Sequence, residues 1–414
     1  MQNDAELIPH LFRTEYSKIT AVLTRLFGFE HMEIAEDIAS DTFMMAAETW
    51  GQNGLPANPV AWLYTVAKNR AKDHLKRDKL FFDKIGPTVR NNSTEAYEIE
   101  IDLSGKNISD SQLQMMFAIC HPEISAEAQI ALSLRVLCGF GIEEIADAFL
   151  SNKETISKRL FRAKEKLREA EVKIEFPGQG EIKKRLATVL TTLYLLFNEG
   201  YYSLSKNTAL RKDLCIEAMR LTFMLTENEL TNRPEVNALL ALMCFHSSRF
   251  EARTGEQGES ILYEEQDTSL WDKELINRGH LYLNRSATGS SATKYHFEAA
   301  IAYWHTMKSE EKWDKILQLY NQLLVIEYSP AAALNRTYAL SKANGKAEAI
   351  VEAEKLKLTG NYLYHCLLGY LYTGIDNITA INNYAMALVL TKAKPDKAKI
   401  DSYIKQLKNS TPTI

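Results

Sequence analysis

Apolar residues recur at intervals of three and four along nearly every long segment of this chain, and the strict alternation of a half-buried strand is almost absent. That period puts one apolar stripe on each helix, and such helices bury their stripes only against one another. The sequence therefore predicts an all-α protein. At 414 residues there is room for about two to four domains, and the breakers suggest where they divide. Residues 1–80 read as helical, with a Gly/Pro loop at 51–59. Residues 81–112 are polar and poorly periodic (Asn91, Asn92, Ser93, Thr94, Ser104, Gly105, Asn107) and read as a linker. Residues 113–172 are helical again and turn basic near their end. Phe176-Pro177-Gly178-Gln179-Gly180 interrupts the pattern, and 181–414 is a long helical region with its own turns.

Composition removes several classes of function. The net charge of −4 excludes a protein that coats nucleic acid through its whole surface, so such contact must come from local basic patches. Cys120, Cys138, Cys215, Cys244 and Cys366 are scattered and form no C-x-x-C pair, so neither a disulfide framework nor a zinc site is expected. The N-terminus has no basic and then apolar signal pattern. The apolar stretch 186–197 is interrupted by Thr188, Thr191 and Thr192, too polar to span a bilayer. Reduced thiols in the cytoplasm, with no membrane partner, are the expectation.

Segment 139–168 has the pattern of a DNA-binding helix-turn-helix. Gly139-Phe140-Gly141 precedes a short helix from Ile142 to Phe149, with Ile145, Ala146 and Phe149 on one face. Leu150-Ser151-Asn152 makes the turn. Ser151 or Asn152 can cap the next helix, and Glu154 stands three after Ser151 as in a capping box. The second helix would bury Ile156, Leu160, Ala163 and Leu167. Its other face carries Lys153, Lys158, Arg159, Arg162, Lys164, Lys166 and Arg168 against Glu154 and Glu165. A basic helix after a short turn suits phosphate contact and entry into a major groove. Asn152, Lys153, Thr155, Ser157 and Lys158 lie where base edges are read, and Arg159 and Arg162 where phosphates or flanking bases are met. Charge alone would equally describe a solvated helix face; the turn, cap and buried period favour DNA.

The N-terminal region pairs an acidic helix with a basic one. Residues 33–50 place Ile34, Ile38, Phe43 (or Thr42), Met45 and Thr49 near an apolar side and Glu33, Glu36, Asp37 and Asp41 on the outside. After the loop containing Asn53, Pro56, Asn58 and Pro59, residues 60–79 carry Lys68, Arg70, Lys72, Lys76, Arg77 and Lys79. Two solvated faces of one bundle would read this way. So would a protein-docking face beside a groove for unstacked bases. Near the other end, Gly369, Tyr372, Ala380, Tyr384 and Ala387, preceded by segments at 313–330 and 331–358 with Gly345 at a turn, resemble tetratricopeptide (TPR) units. Ordinary helical hairpins with small contact residues are the alternative.

Taken in order, these residues resemble the sigma-70 family of transcription initiation factors, specifically the extracytoplasmic-function (ECF) type. Ala35 to Phe43 (AEDIASDTF) looks like region 2.2, and Pro59 to Arg77 (PVAWLYTVAKNRAKDHLKR) like regions 2.3 and 2.4; 139–168 looks like region 4.2. Asp110 to Glu123 (DSQLQMMFAICHPE), Leu193 to Tyr201 (LYLLFNEGY), Glu265 to Asp272 (EQDTSLWD) and Ala333 to Arg336 (ALNR) are similar to an ECF subgroup with a large TPR-like C-terminal extension. The resemblance implies sigma region 2 at 1–80, a linker at 81–112, region 4 at 113–172 and a helical extension at 181–414. It implies core RNA polymerase and promoter DNA as partners, no cofactor, and no bond-making chemistry by this chain. Glu36, Asp37 and Asp41 would dock on the polymerase. Asn53, Asn58, Trp62, Lys68, Asn69, Arg70 and Arg77 would serve the −10 element, and Asn152, Lys153, Thr155, Ser157, Lys158, Arg159 and Arg162 the −35 element. The extension would regulate the sigma module, with a protein or peptide as its ligand.

Two other readings compete. A helix-turn-helix regulator with a TPR-like sensor would share 139–168 but has no use for the pattern at 35–77. An enzyme would need a constellation that is missing: Cys120-His121 lacks a positioned partner, His296 and His305 share no helix face, and no H-E-x-x-H, P-loop or dinucleotide fingerprint occurs. Glu199, after an apolar helix, is expected to end that helix and fix an inter-helix contact.

Overall fold

The structure is a computed structural model that describes residues 4–77, 100–202, 208–253, 255, 261, 263–289, 291–391 and 394–410. Among these the fold is all-α, with 19 helices and no strand. The chain divides into two compact units, one running through Thr231 and one starting at Asn232.

The first unit is organised around α1 (Asp4–Phe27), whose Tyr16, Ile19 and Leu23 are fully enclosed. Against it lie α2 (Met32–Asn53) and α3 (Pro59–Arg77). The face that α2 buries is Ala35, Ile38, Ala39, Thr42, Phe43, Ala46 and Trp50. This differs from the expected stripe, because Met45 and Thr49 are half-exposed. The alanines form the contact: with only a Cβ, they let helix backbones approach closely, a role that a search for large apolar residues overlooks. α2 also runs to Asn53 and stops at Gly54, whose φ of 79° fits a glycine. Residues 51–53 of the expected loop are thus helical.

α4 spans Gly105–Ile119, capped by the Ser104 hydroxyl accepting from the Asn107 N–H, and it buries Ile108 and Leu113. The last residues of the expected linker therefore belong to a core helix. Residues 81–99 lie outside the described residues. α5 (Ala126–Leu132) loosens into a wide turn at Ser133–Leu137. The pair α6 (Ile142–Ala148) and α7 (Lys153–Glu169) follows.

The first unit does not end at the Pro/Gly breaker. α8 (Ile182–Tyr202) lies on α4 and α5, and buries Leu186, Val189, Leu190, Leu193, Leu196, Phe197 and Tyr201. Its Thr192 hydroxyl donates to Gln129 Oε1 at 2.7 Å, and Arg185 donates to the Phe117 carbonyl at 2.5 Å. From α9 (Thr208–Thr226), Arg220 donates to the Leu137 carbonyl at 2.7 Å. At Gly200 a Cβ would come within 2.6 Å of the Arg211 carbonyl oxygen, so the α8–α9 approach requires glycine. Asn198-Glu199-Gly200 sits within α8 rather than at its end. Half-burial raises the Glu199 carboxyl above its usual pKa.

The second unit is a run of short helices: α10 (Pro234–Ser247), α11 (Phe250–Arg253), α12 (Lys273–Ser286), α13 (Lys294–Thr306), α14 (Lys312–Ile326), α15 (Pro330–Ala343), α16 (Lys346–Leu356), α17 (Tyr362–Tyr372), α18 (Asn377–Leu390) and α19 (Lys394–Ser410). Side-chain caps open many of them, at Asp272, Ser329, Asn361 and Asp376. Gly345, at the expected turn, has φ 103° and precedes α16. Gly369 of α17 faces the Tyr384 ring of α18 so closely that a Cβ would meet it at 2.8 Å. The small-plus-aromatic pattern in the sequence is this contact. No helix among the described residues is long and apolar enough to cross a membrane.

Candidate functional site

The α6–turn–α7 segment is built locally. The Gly141 N–H donates to Glu144 Oε2 at 2.8 Å, which opens α6. Leu150 takes φ 48° in the turn, and the Ser151 N–H closes it onto the Ala146 carbonyl at 2.8 Å. Asn152, not Ser151, is the cap: its Oδ1 accepts from the Thr155 N–H at 2.8 Å. Glu154 therefore has no capping-box role and instead pairs with Lys158 at 2.6 Å. Ile156, Leu160, Ala163 and Leu167 of α7 are buried. In α6, Ala148 is buried beside Ile145 and Ala146, while Phe149 is only half-buried.

This burial leaves Asn152, Lys153, Thr155, Ser157, Lys158 and Arg162 on the surface. Lys153 pairs with Glu143. Arg159 is half-buried, its guanidinium 5.3 Å from the Phe149 ring centre, and its Nη1 has no hydrogen-bond partner among the described residues. The exposed part is a polar helix start followed by cations, able to approach a polyanion without rearranging the core.

The residues singled out in α2 and α3 separate into distinct environments. Asp37 is exposed. Asp41 pairs with Arg70 at 2.5 Å, so one residue of the acidic set and one of the basic set neutralise each other. Glu36 turns inward: its Oε2 meets Lys164 Nζ at 2.7 Å, with both side chains 13% exposed, and Arg135 Nε stands 4.0 Å from Oε1. Asn58 Oδ1 accepts from the Ala61 N–H at 3.0 Å and so caps α3. Asn53 is exposed at the end of α2. Trp62 is half-buried, edge-on to Trp50 at 5.3 Å. Lys68 is half-exposed and Asn69 exposed. Arg77 ends α3, and its side chain lies outside the described residues.

Lys164 counted in the sequence only as one more basic residue, and Arg13 was not singled out. Arg13 meets Glu144 at 2.6 Å and Asp213 at 3.7 Å, and lies 4.3 Å over the Phe140 ring. Both join α6 or α7 to the N-terminal helices. Their partners are more than a hundred residues away in sequence, so no local pattern could reveal them.

Cys120 and His121 do not form a nucleophile–base pair. Burial pushes the Cys120 thiol up to about 11, and burial together with Arg185 lowers His121. His296 completes the cap of α13 with Thr293, while His305 is half-buried at that helix's other end. Among the described residues no group of His, Cys, Asp or Glu could hold a metal ion. Cys138 is raised well above its usual value and Cys244 to about 12, both chiefly by burial. Because the thiolate is the reactive form, the native chain is expected to react only slowly with a disulfide reagent at neutral pH. All five thiols should react at once in denaturant, which absorbance titration would check; a fast native thiol at Cys120 would contradict its burial.

Comparison with known proteins adds to this geometry. Residues 185–287 match a family of unknown function, DUF6596, and residues 11–80 match sigma-70 region 2. An uncharacterised protein of Rhizobium meliloti (strain 1021) is 32% identical over 348 residues, which cover 82% of each chain. No solved structure matches the chain. The region 2 match falls on α1, α2 and α3, the helices that carry Asp37, Asp41, Arg70 and the capped loop. The chain thus belongs to one family with the Rhizobium meliloti protein, and its residues 11–80 match sigma-70 region 2.

Proposed function

We propose that this chain is a sigma factor of the ECF type, which binds core RNA polymerase and directs it to a promoter. The observation that carries this is the region 2 match at residues 11–80. The exposed, cation-rich start of α7, a surface suited to a polyanion, supports this reading. In this reading the Asp37 side of α2 docks on the polymerase. The 54–58 loop, Trp62, Lys68 and Asn69 hold unstacked non-template bases near the −10 element. Asn152, Lys153, Thr155, Ser157 and Lys158 read the −35 element from a major groove, with Arg159 and Arg162 on the flanks. Glu36 belongs to the docking set but is held by Lys164 in the free chain, so α7 must release it before polymerase can use it. The helical region after the sigma modules regulates them, as a TPR-like array that takes a protein or peptide.

Asp37→Lys with Asp41→Lys tests the docking face. The Asp41–Arg70 pair is roughly half-exposed and contributes at most about 1 kcal/mol, so the double variant should stay folded. Its affinity for core polymerase should fall at least about tenfold, the factor that a loss of roughly 1.4 kcal/mol produces. Wild-type affinity in a folded variant would refute docking through this face.

A further inference from the structure

Among the described residues, the second unit holds two buried cations, Arg249 and Lys312, that form no ion pair with a carboxylate. Arg249, between α10 and α11, is 7% exposed, and its Nε has no hydrogen-bond partner among the described residues. Its guanidinium lies 5.5 Å from the Tyr263 ring centre and 5.9 Å from that of Trp271. Lys312, at the start of α14, is 9% exposed, with its Nζ 4.4 Å from the same Tyr263 ring. It donates to the Tyr263 hydroxyl and, at 3.3 Å, to the His305 carbonyl. Glu264, whose field reaches Lys312, is itself tied to Lys342 at 2.5 Å. Trp271, 9% exposed, leaves its indole N–H without an acceptor among the described residues.

Such an arrangement is costly in the free protein. Buried N–H groups are nearly always paired, and a buried cation without a counterion is strongly unfavourable. The neighbouring groups register the same field. Burial and Arg249 push Lys312 down to about 8, and burial, Arg249 and Lys312 drive His305 down to about 3. The chain tolerates two such cations around one phenol ring, with an indole donor beside them.

We propose that Arg249, Lys312 and the Trp271 indole N–H form a binding site for an oxyanion, the carboxylate or phosphate group of a ligand. A guanidinium fork donates to either group with two parallel hydrogen bonds. Lys312 adds a point charge, and Tyr263, Trp271 and Trp313 wall the site with rings; Lys312 Nζ stands 5.7 Å from the Trp313 centre. The residues of this site all belong to the second unit and the proposed docking residues to the first, so its test stands apart from that of the sigma role.

The experiment uses the full chain, melted thermally and followed by tryptophan fluorescence. Inorganic phosphate and succinate are added separately at constant ionic strength, and wild type is compared with Arg249→Met and Lys312→Met. The wild type should show a saturable rise in Tm and a fluorescence change with at least one of the two anions, and the stronger response distinguishes phosphate from carboxylate. Arg249→Met should melt no lower than wild type without anion, since it removes an unneutralised buried charge. Each variant should bind at least tenfold more weakly. A wild type that responds to neither anion, or responses of equal size in wild type and both variants, would overturn the site.

Discussion

Lys164→Glu is expected to destabilise the first unit by about 3–5 kcal/mol, the cost of breaking a buried ion pair from one side. Lys164 and Glu36 are both 13% exposed and 2.7 Å apart, so both charges are largely withdrawn from water. The reversal places two carboxylates face to face, with Arg135, 4.0 Å from Glu36, as the remaining cation nearby. Glu36→Lys with Lys164→Glu should recover part of the loss. Recovery stays incomplete because Arg135 then faces a lysine. Urea denaturation of wild type, Lys164→Glu, Glu36→Lys and the double variant gives the coupling directly. A change below about 1 kcal/mol for Lys164→Glu would show that the contact behaves like an exposed pair.

The second large effect concerns where the chain can be cut. Ending it after residue 180 should abolish folding of the remainder, whereas ending it after Thr231 should leave a cooperatively melting first unit. The reason is α8. Each of its buried Leu, Val and Phe side chains contributes about 1.5–3 kcal/mol on burial, so together they are comparable to the roughly 5–15 kcal/mol by which a whole domain is stable. Loss of α8 would also leave Gln129 Oε1 and the Phe117 carbonyl without the side-chain donors they have now. Circular dichroism and thermal melts of the two truncated chains check this; a well-folded 1–180 fragment would contradict it. The composition break at Phe176 to Gly180 marks a loop but not the edge of the compact unit. A test of whether the C-terminal region regulates the sigma modules should therefore cut after Thr231.

Features set by neighbours in sequence were legible in advance. The period of Ile156, Leu160, Ala163 and Leu167 gave the buried face of α7, and the glycine at 345 gave a turn. Cap choice was narrowed to Ser151 or Asn152, and geometry selected Asn152. Features set by distant residues were not legible. The inward turn of Glu36 depends on Lys164, the neutralisation of Asp41 on Arg70, and the reach of the first unit on contacts between α8 and α4. The apolar face of α2 was misjudged because Ala35, Ala39 and Ala46 carry too little side chain to stand out. The enclosure of Arg249 and Lys312 likewise comes from the fold and has no local sequence signal.

The central claim is that this chain gives RNA polymerase its promoter. The most direct test combines the purified full chain with core polymerase and genomic DNA, and sequences the 5′ ends of the transcripts made. Discrete start sites should appear only with the chain present, share an upstream sequence, and be lost with Asp37→Lys and Asp41→Lys. The same set of transcripts with and without the chain would contradict it.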